Sequence, residues 1–160
     1  MSATDICDPI TYKDAIDHKY SQEWLKSINT EIFNLKRKDT WTLVDPPNGV
    51  NIISSRWVHK TKLDSEGNIL KRKSRWVAKG FKQQYGIDYL ETFTYTVKPV
   101  LFRLLFTLAA ILDWEIHQWD FILAFLNAVL NEKIYMQQLK GFKETINQVH
   151  LLKKAIYGLK

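Results

Sequence analysis

From Ser21 to Lys36 the apolar residues Trp24, Ile28, Ile32 and Leu35 recur at three- and four-residue spacing, which predicts an amphipathic helix with Ser21 as its cap. Trp41 to Val44 is a short β-like run that stops at Asp45-Pro46-Pro47-Asn48-Gly49, a turn or loop. A strand is expected over Ile52 to Leu63. Asp64-Ser65-Glu66-Gly67-Asn68 then supplies the turn for a hairpin that returns through Ile69 to Lys79. Gly80 to Gly86 reads as a loop. Val100 to Leu112, preceded by Pro99, is apolar enough to predict a buried helix beneath a sheet. Glu115 to Ile122 alternates as a strand, with Ile116, Gln118 and Asp120 facing one way and Glu115, His117 and Trp119 the other. A helix through Ala124, Phe125 and Leu130, a strand over Lys133 to Met136 and a last helix over Gln148 to Tyr157 complete the pattern. The expected class is α+β, a basic β-hairpin and a mixed or antiparallel sheet with packing helices.

The 160 residues are room for one domain, and 46% hydrophobic with 13% aromatic content argues against disorder. Charge adds more. The net is +6, and the segment Asn51 to Lys82 holds all of the excess, with nine basic residues against Asp64 and Glu66. On charge alone, a hairpin kept soluble by edge lysines and a phosphate-attracting surface are equally good readings. Alternation separates them. Lys71, Lys73, Arg75, Val77 and Lys79 share one strand face, and Leu70, Arg72, Ser74, Trp76 and Ala78 the other. Successive residues on one face stand about 6.6 Å apart, so neighbouring cations are spaced to grip one triphosphate or adjacent backbone phosphates.

Asp120 lies among Trp119, Phe121, Ile122 and Phe125. A carboxylate in such a setting is costly unless it is paired or bound to a cation, but composition and spacing by themselves favour the plainer alternative, that Asp120 caps the helix that follows. Both readings stay open. Other chemistries find no support. Cys7 is a lone cysteine, which excludes an internal disulfide and a Cys-ligated zinc site. His18, His59, His117 and His150 lack metal-ligand spacing and read as surface or half-buried residues, and Trp41, Trp57 and Trp76 read as core. No phosphate-cradling glycine loop and no nucleophile elbow occurs. Residues 1–9 carry no apolar run, and Val100 to Leu112 is shorter than the roughly 20 residues of a membrane span. An intracellular protein, in cytoplasm or nucleus and not secreted, is expected.

Several blocks then occur in order: Trp41-Thr42-Leu43-Val44, Lys73-Ser74-Arg75-Trp76-Val77-Ala78-Lys79-Gly80-Phe81, Gly86-Ile87-Asp88-Tyr89-Leu90-Glu91-Thr92-Phe93, and Gln118-Trp119-Asp120 with Ala124-Phe125-Leu126-Asn127. Ile134-Tyr135-Met136, Gly141-Phe142 and Tyr157-Gly158-Leu159-Lys160 follow. Together they resemble the N-terminal half of the reverse transcriptase of copia-type LTR retrotransposons, over roughly Trp24 to Lys160. The resemblance implies polymerase fingers and part of a palm over residues 21–160, behind an extension of residues 1–20. It implies that Lys73 and Arg75 contact the triphosphate of a deoxynucleotide. Lys71 and Lys79 are then candidates for contacting nucleic acid. Asp120 matches the first catalytic, metal-binding aspartate, and Phe125 the aromatic residue that abuts the sugar. Mg2+ would be the cofactor; RNA template, RNA·DNA duplex and deoxynucleoside triphosphate would be the partners, with no membrane.

The family's Tyr-x-Asp-Asp pair, which supplies the other two metal-binding aspartates, does not occur in these 160 residues, so polymerisation by this chain alone is not expected. Thr94-Tyr95-Thr96, Phe121, Ile122, Leu123, Ala128 and Leu139 also depart from the family's usual blocks. Three readings follow: an enzyme fragment, a nucleic-acid-binding remnant, and a relic of a transposable element without function.

Overall fold

The computed structural model describes residues 7–91, 97–119, 124–143, 145 and 147–160, and of Phe125 the backbone alone. Its helices are α1 (Tyr12–Ile16), α2 (Ser21–Arg37) and α3 (Pro99–Ile111); its strands are β1 (Trp41–Val44), β2 (Ile52–Ile53), β3 (Ser55–Leu63), β4 (Ile69–Ala78), β5 (Val129–Met136) and β6 (Val149–Lys154). Single 3-10 turns occupy Gly80–Lys82 and Ala124–Asn127. The class is α+β, as the pattern predicts.

Helix α2 forms because Trp24, Ile28, Ile32 and Leu35 gather on one side, where all four are buried. Its start corrects one expectation. Tyr20 is the cap residue and Ser21 the first helical one, with no side chain capping the turn. Strands β3 and β4 pair antiparallel as a separate two-stranded ribbon. Their turn is held by Asp64, whose Oδ1 accepts the N–H groups of Glu66 at 2.9 Å and Asn68 at 2.8 Å, while Gly67 takes φ +84°. The single strand expected from Ile52 divides at Ser54. Its first two residues join the other sheet, beside β5 and parallel to it.

That sheet has the order β1-β6-β5-β2, antiparallel except for the β2–β5 pair. Strand β6 stands where the sequence predicts a helix. It lies between two neighbours with Val149, His150 and Leu152 buried, so both of its faces are apolar and no alternation shows. Similarly, the helix expected to reach Leu130 is only the turn Ala124–Asn127, because Val129 and Leu130 already belong to β5. The core between α2, the ribbon and this sheet includes Trp57, Trp76, Ile53, Met136 and Leu152. Trp41 stacks on His150 at 4.5 Å and meets Trp76 edge-on at 5.3 Å.

Two further expectations are overturned. His59 and His150 are buried rather than surface or half-buried. Helix α3 forms, but Ala109 is its only buried residue, with Val100 68% and Ile111 72% exposed. Apolar side chains run right round this helix, so burying it takes cover on every side, which the described elements do not give. Trp114 to Trp119 is exposed and forms no strand, since neither sheet offers it a partner. Asp120, Phe121, Ile122 and Leu123 lie outside the described residues.

Candidate nucleotide and nucleic-acid interface

The alternation of β4 is realised from Lys71 onward; Leu70, expected on the buried face, is 64% exposed because the register shifts between Lys62 and Leu63. Arg72, Ser74, Trp76 and Ala78 are buried, and Lys71, Lys73, Arg75 and Val77 occupy the other face. Register doubles that cationic face. Lys62 stands opposite Lys71, Lys60 opposite Lys73, Val58 opposite Arg75 and Arg56 opposite Val77. Directly opposed residues of an antiparallel pair point to the same side. Six cations therefore share one face of a two-stranded ribbon, and three of them, Arg56, Lys60 and Lys62, come from β3, which is predicted as a strand, although faces are assigned from the sequence for β4 alone. The alternation of β3 and the five-residue turn were the signals that could have found them.

Like charges so close repel, and the ribbon holds little to compensate. Lys60 makes an ion pair with Asp8 at 3.1 Å. Burial, then the charges of Arg75, Lys62 and Lys71, depress the Lys73 ammonium below the usual lysine range, with Glu31 acting in the opposite direction. The Arg75 guanidinium lies 4.8 Å from the centre of the Tyr157 ring, and its buried Nε has no hydrogen-bond partner among the described residues. A cationic row of this kind is relieved by phosphate oxygens. Arg72 is the contrast. It turns to the buried side, where it pairs with Glu23 at 2.7 Å and lies over the Tyr20 ring at 4.0 Å, which makes it a structural cation.

Helix α2 fixes the outer edge of β4. Glu23, Ser27 and Glu31 follow one another at four-residue steps and meet Arg72, Ser74 and Trp76, which follow at two-residue steps. A helical step of four and a strand step of two are both about 6 to 6.6 Å, so the columns stay in register. Ser27 Oγ accepts the Ser74 N–H at 2.7 Å, and Glu31 Oε1 accepts that of Trp76 at 3.4 Å. Beyond them the Tyr157 and Gly158 carbonyls accept from Ala78 at 2.8 Å and Gly80 at 3.0 Å. Gly158 has φ +88°, and a Cβ there would collide with the Ala78 carbonyl oxygen.

Of the remaining predicted residues, Lys79 is half-buried just past β4, with its N–H given to the Ser54 carbonyl at 2.9 Å. Phe125 falls in the turn Ala124–Asn127, which Lys38 ties to α2 through Asn127 Oδ1 at 3.0 Å. Asp120, the candidate metal ligand, is outside the described residues. Among the described residues no group of three or more His, Cys, Asp or Glu could hold a metal ion. No helix among them is long and apolar enough to cross a membrane.

The site is thus a basic two-stranded ribbon clamped to a helix on an α+β frame. Residues 38–160 match the family described as reverse transcriptase (RNA-dependent DNA polymerase), and the chain belongs to that family. It is 37% identical over 160 residues to the retrovirus-related Pol polyprotein from transposon TNT 1-94 of Nicotiana tabacum, a match covering 98% of this chain and 12% of that protein. The corresponding polyproteins from transposons RE2 and RE1 of Arabidopsis thaliana are 37% identical over 161 residues and 38% over 151. Those matches cover 99% and 92% of this chain but 11% and 10% of the relatives, so the chain spans about a tenth of the proteins it resembles. The copia-type resemblance read from the motif blocks is borne out. No solved structure matches the chain. Reverse transcriptases as a class use divalent metal ions.

Proposed function

We propose that residues 21–160 are the fingers and the start of the palm of a retrotransposon RNA-directed DNA polymerase, with residues 1–20 as an extension. In this reading Lys73 and Arg75 contact the triphosphate of the incoming deoxynucleotide, and Lys71 and Lys79 contact the backbone of an RNA template or RNA·DNA duplex. Asp120 is one ligand of a catalytic Mg2+, and Phe125 abuts the sugar. The observation that carries the reading is the ribbon face, where Lys73 and Arg75 stand two residues apart with Lys60 opposite Lys73. Side chains at that spacing fit consecutive phosphate oxygens.

Nucleotidyl transfer by two metal ions needs several carboxylates. With no Tyr-x-Asp-Asp block in its 160 residues, the chain by itself is a binding unit and not a working polymerase. Deoxynucleoside triphosphate binding, followed with wild type, Lys73→Ala and Arg75→Ala, tests the assignment. Each substitution is expected to weaken binding about tenfold, and a primed RNA template is expected to remain unextended. Unchanged affinity in both variants would refute the triphosphate assignment.

The six-cation face also favours a second reading, a remnant that binds nucleic acid without chemistry. Duplex affinity with no measurable triphosphate affinity would single it out.

A further inference from the structure

The two edges of the ribbon are treated differently. Antiparallel pairing directs alternate N–H groups outward, and on β4 those of Ser74, Trp76, Ala78 and Gly80 are all taken. On β3 the same alternation directs Trp57, His59 and Thr61 outward. Thr61 gives its N–H to Asp8 Oδ1 at 2.6 Å. Past Asp8 the N-terminal segment and the β3 edge separate, leaving a cleft of about 640 Å3. That volume is within the usual range of small-ligand sites, about 300 to 1,000 Å3.

Three cations from different parts of the chain line the cleft: Arg56 on β3, Lys79 after β4 and Lys140 after β5. None of the three has an ion pair with a described residue. Phe81, 75% exposed, stands at the cleft, and Trp57 forms an inner wall with its indole N–H directed to the Lys140 carbonyl at 3.5 Å. His59 also lines it. This residue is buried, with Nδ1 engaged by Ser74 Oγ at 2.9 Å and Nε2 without a hydrogen-bond partner among the described residues. A buried polar atom left unpaired is costly until something pairs with it.

We propose that this cleft is a second nucleotide-binding site, which borders the ribbon face at Arg56, shares Lys79 with the strand contact proposed above and has Lys140 to itself. Arg56, Lys79 and Lys140 take the phosphate, Phe81 stacks on the base, and His59 Nε2 pairs with a polar atom of the ligand. Three converging cations suit a phosphate dianion better than a single carboxylate, and an exposed phenyl ring beside them suits a planar base. Burial holds the His59 imidazole neutral, so it offers a hydrogen bond without a fourth charge. A free mononucleotide and one unit of a single strand present the same chemistry.

Calorimetric titration of the full 160-residue chain separates the outcomes, with adenosine monophosphate, adenosine, a single-stranded oligonucleotide and poly-glutamate as ligands. Saturable monophosphate binding is expected, with adenosine weaker by about tenfold or more. Arg56→Ala and Lys140→Ala, both at exposed positions, are expected to weaken it about tenfold, while Lys26→Ala, a cation lining neither surface, leaves it unchanged. Lys140 is outside the ribbon, so its effect is independent of the triphosphate assignment. An oligonucleotide that binds with the same dependence where the monophosphate does not would assign the cleft to a strand. Absence of saturable binding by either, equal loss in Lys26→Ala, or tighter binding of poly-glutamate would overturn the proposal.

Discussion

Glu31 Oε1 accepts the backbone N–H of Trp76 at 3.4 Å, which places a buried carboxylate at the edge of β4, where the charges of Lys73 and Arg75 act on it. Helix α2 thereby closes the strand edge that would otherwise be open and sets the ribbon's orientation. Glu31→Ala removes the acceptor and leaves that buried N–H unpaired, which costs about 1–3 kcal/mol. Urea unfolding checks it, and Glu31→Gln, which keeps an acceptor, is expected to lose less.

Two buried groups, Glu31 and His59, make opposed contributions to the pH dependence of stability. Burial raises the Glu31 carboxyl above its ordinary range, against the Trp76 hydrogen bond and the charges of Lys73 and Arg75. The folded state then holds this proton more tightly than the unfolded state, so stability falls as pH rises from about 4.3 through the raised value. His59 has the opposite sign. Burial depresses it, with Asp8 and Asp14 opposing, so stability is present above about 6.5 and is lost as pH falls through the depressed value. Denaturant midpoints across this range should show the falling contribution vanish in Glu31→Gln and the rising one vanish in His59→Phe. A profile unchanged in both variants would remove both assignments.

Trp76 is 1% exposed and joins the ribbon to the four-stranded sheet, meeting Trp41 at 5.3 Å and His150 at 5.5 Å. Trp76→Ala is expected to cost about 3–5 kcal/mol through lost burial and the cavity left behind. Thermal unfolding measures it. A loss below 1 kcal/mol would mean that the ribbon and sheet are not joined through this side chain.

Helix α3 presents Leu101, Leu104, Leu105 and Phe106 to solvent, each more than half exposed. Contiguous apolar surface of this kind drives association. Concentration-dependent light scattering is expected from the wild-type chain, and Leu101→Lys with Leu105→Lys, positions one helical turn apart, should reduce it. Scattering that ignores the double substitution would place the association elsewhere.

How far the sequence predicts this molecule depends on whether each residue's surroundings are local. The ribbon was legible because alternation and the Asp64–Asn68 turn specify it within 25 residues, and Lys71, Lys73 and Arg75 fall on one face as read. Strand β6 was not legible, since Val149, His150 and Leu152 are buried by neighbours 100 residues away in β1 as well as by β5. Arg56, Lys60 and Lys62 were legible by the same local means as the β4 cations, from the alternation of β3 and the register that the turn imposes. In α3 the pattern shows that burial is favourable but says nothing of what covers it. The motif blocks identify the family because they preserve residue identities and not only periodicity.

The central claim is that the ribbon face binds phosphates, and the salt dependence of RNA·DNA duplex binding tests it most directly. The logarithm of the binding constant is expected to fall linearly with the logarithm of salt concentration. Lys71→Ala should reduce the slope by about 0.7 to 0.9, one phosphate contact, whereas Lys73→Ala and Arg75→Ala, whose partner is the triphosphate, should leave it unchanged; an equal reduction in all three would favour the binding remnant. A slope unaffected by Lys71→Ala, or no duplex binding at low salt, would contradict the account.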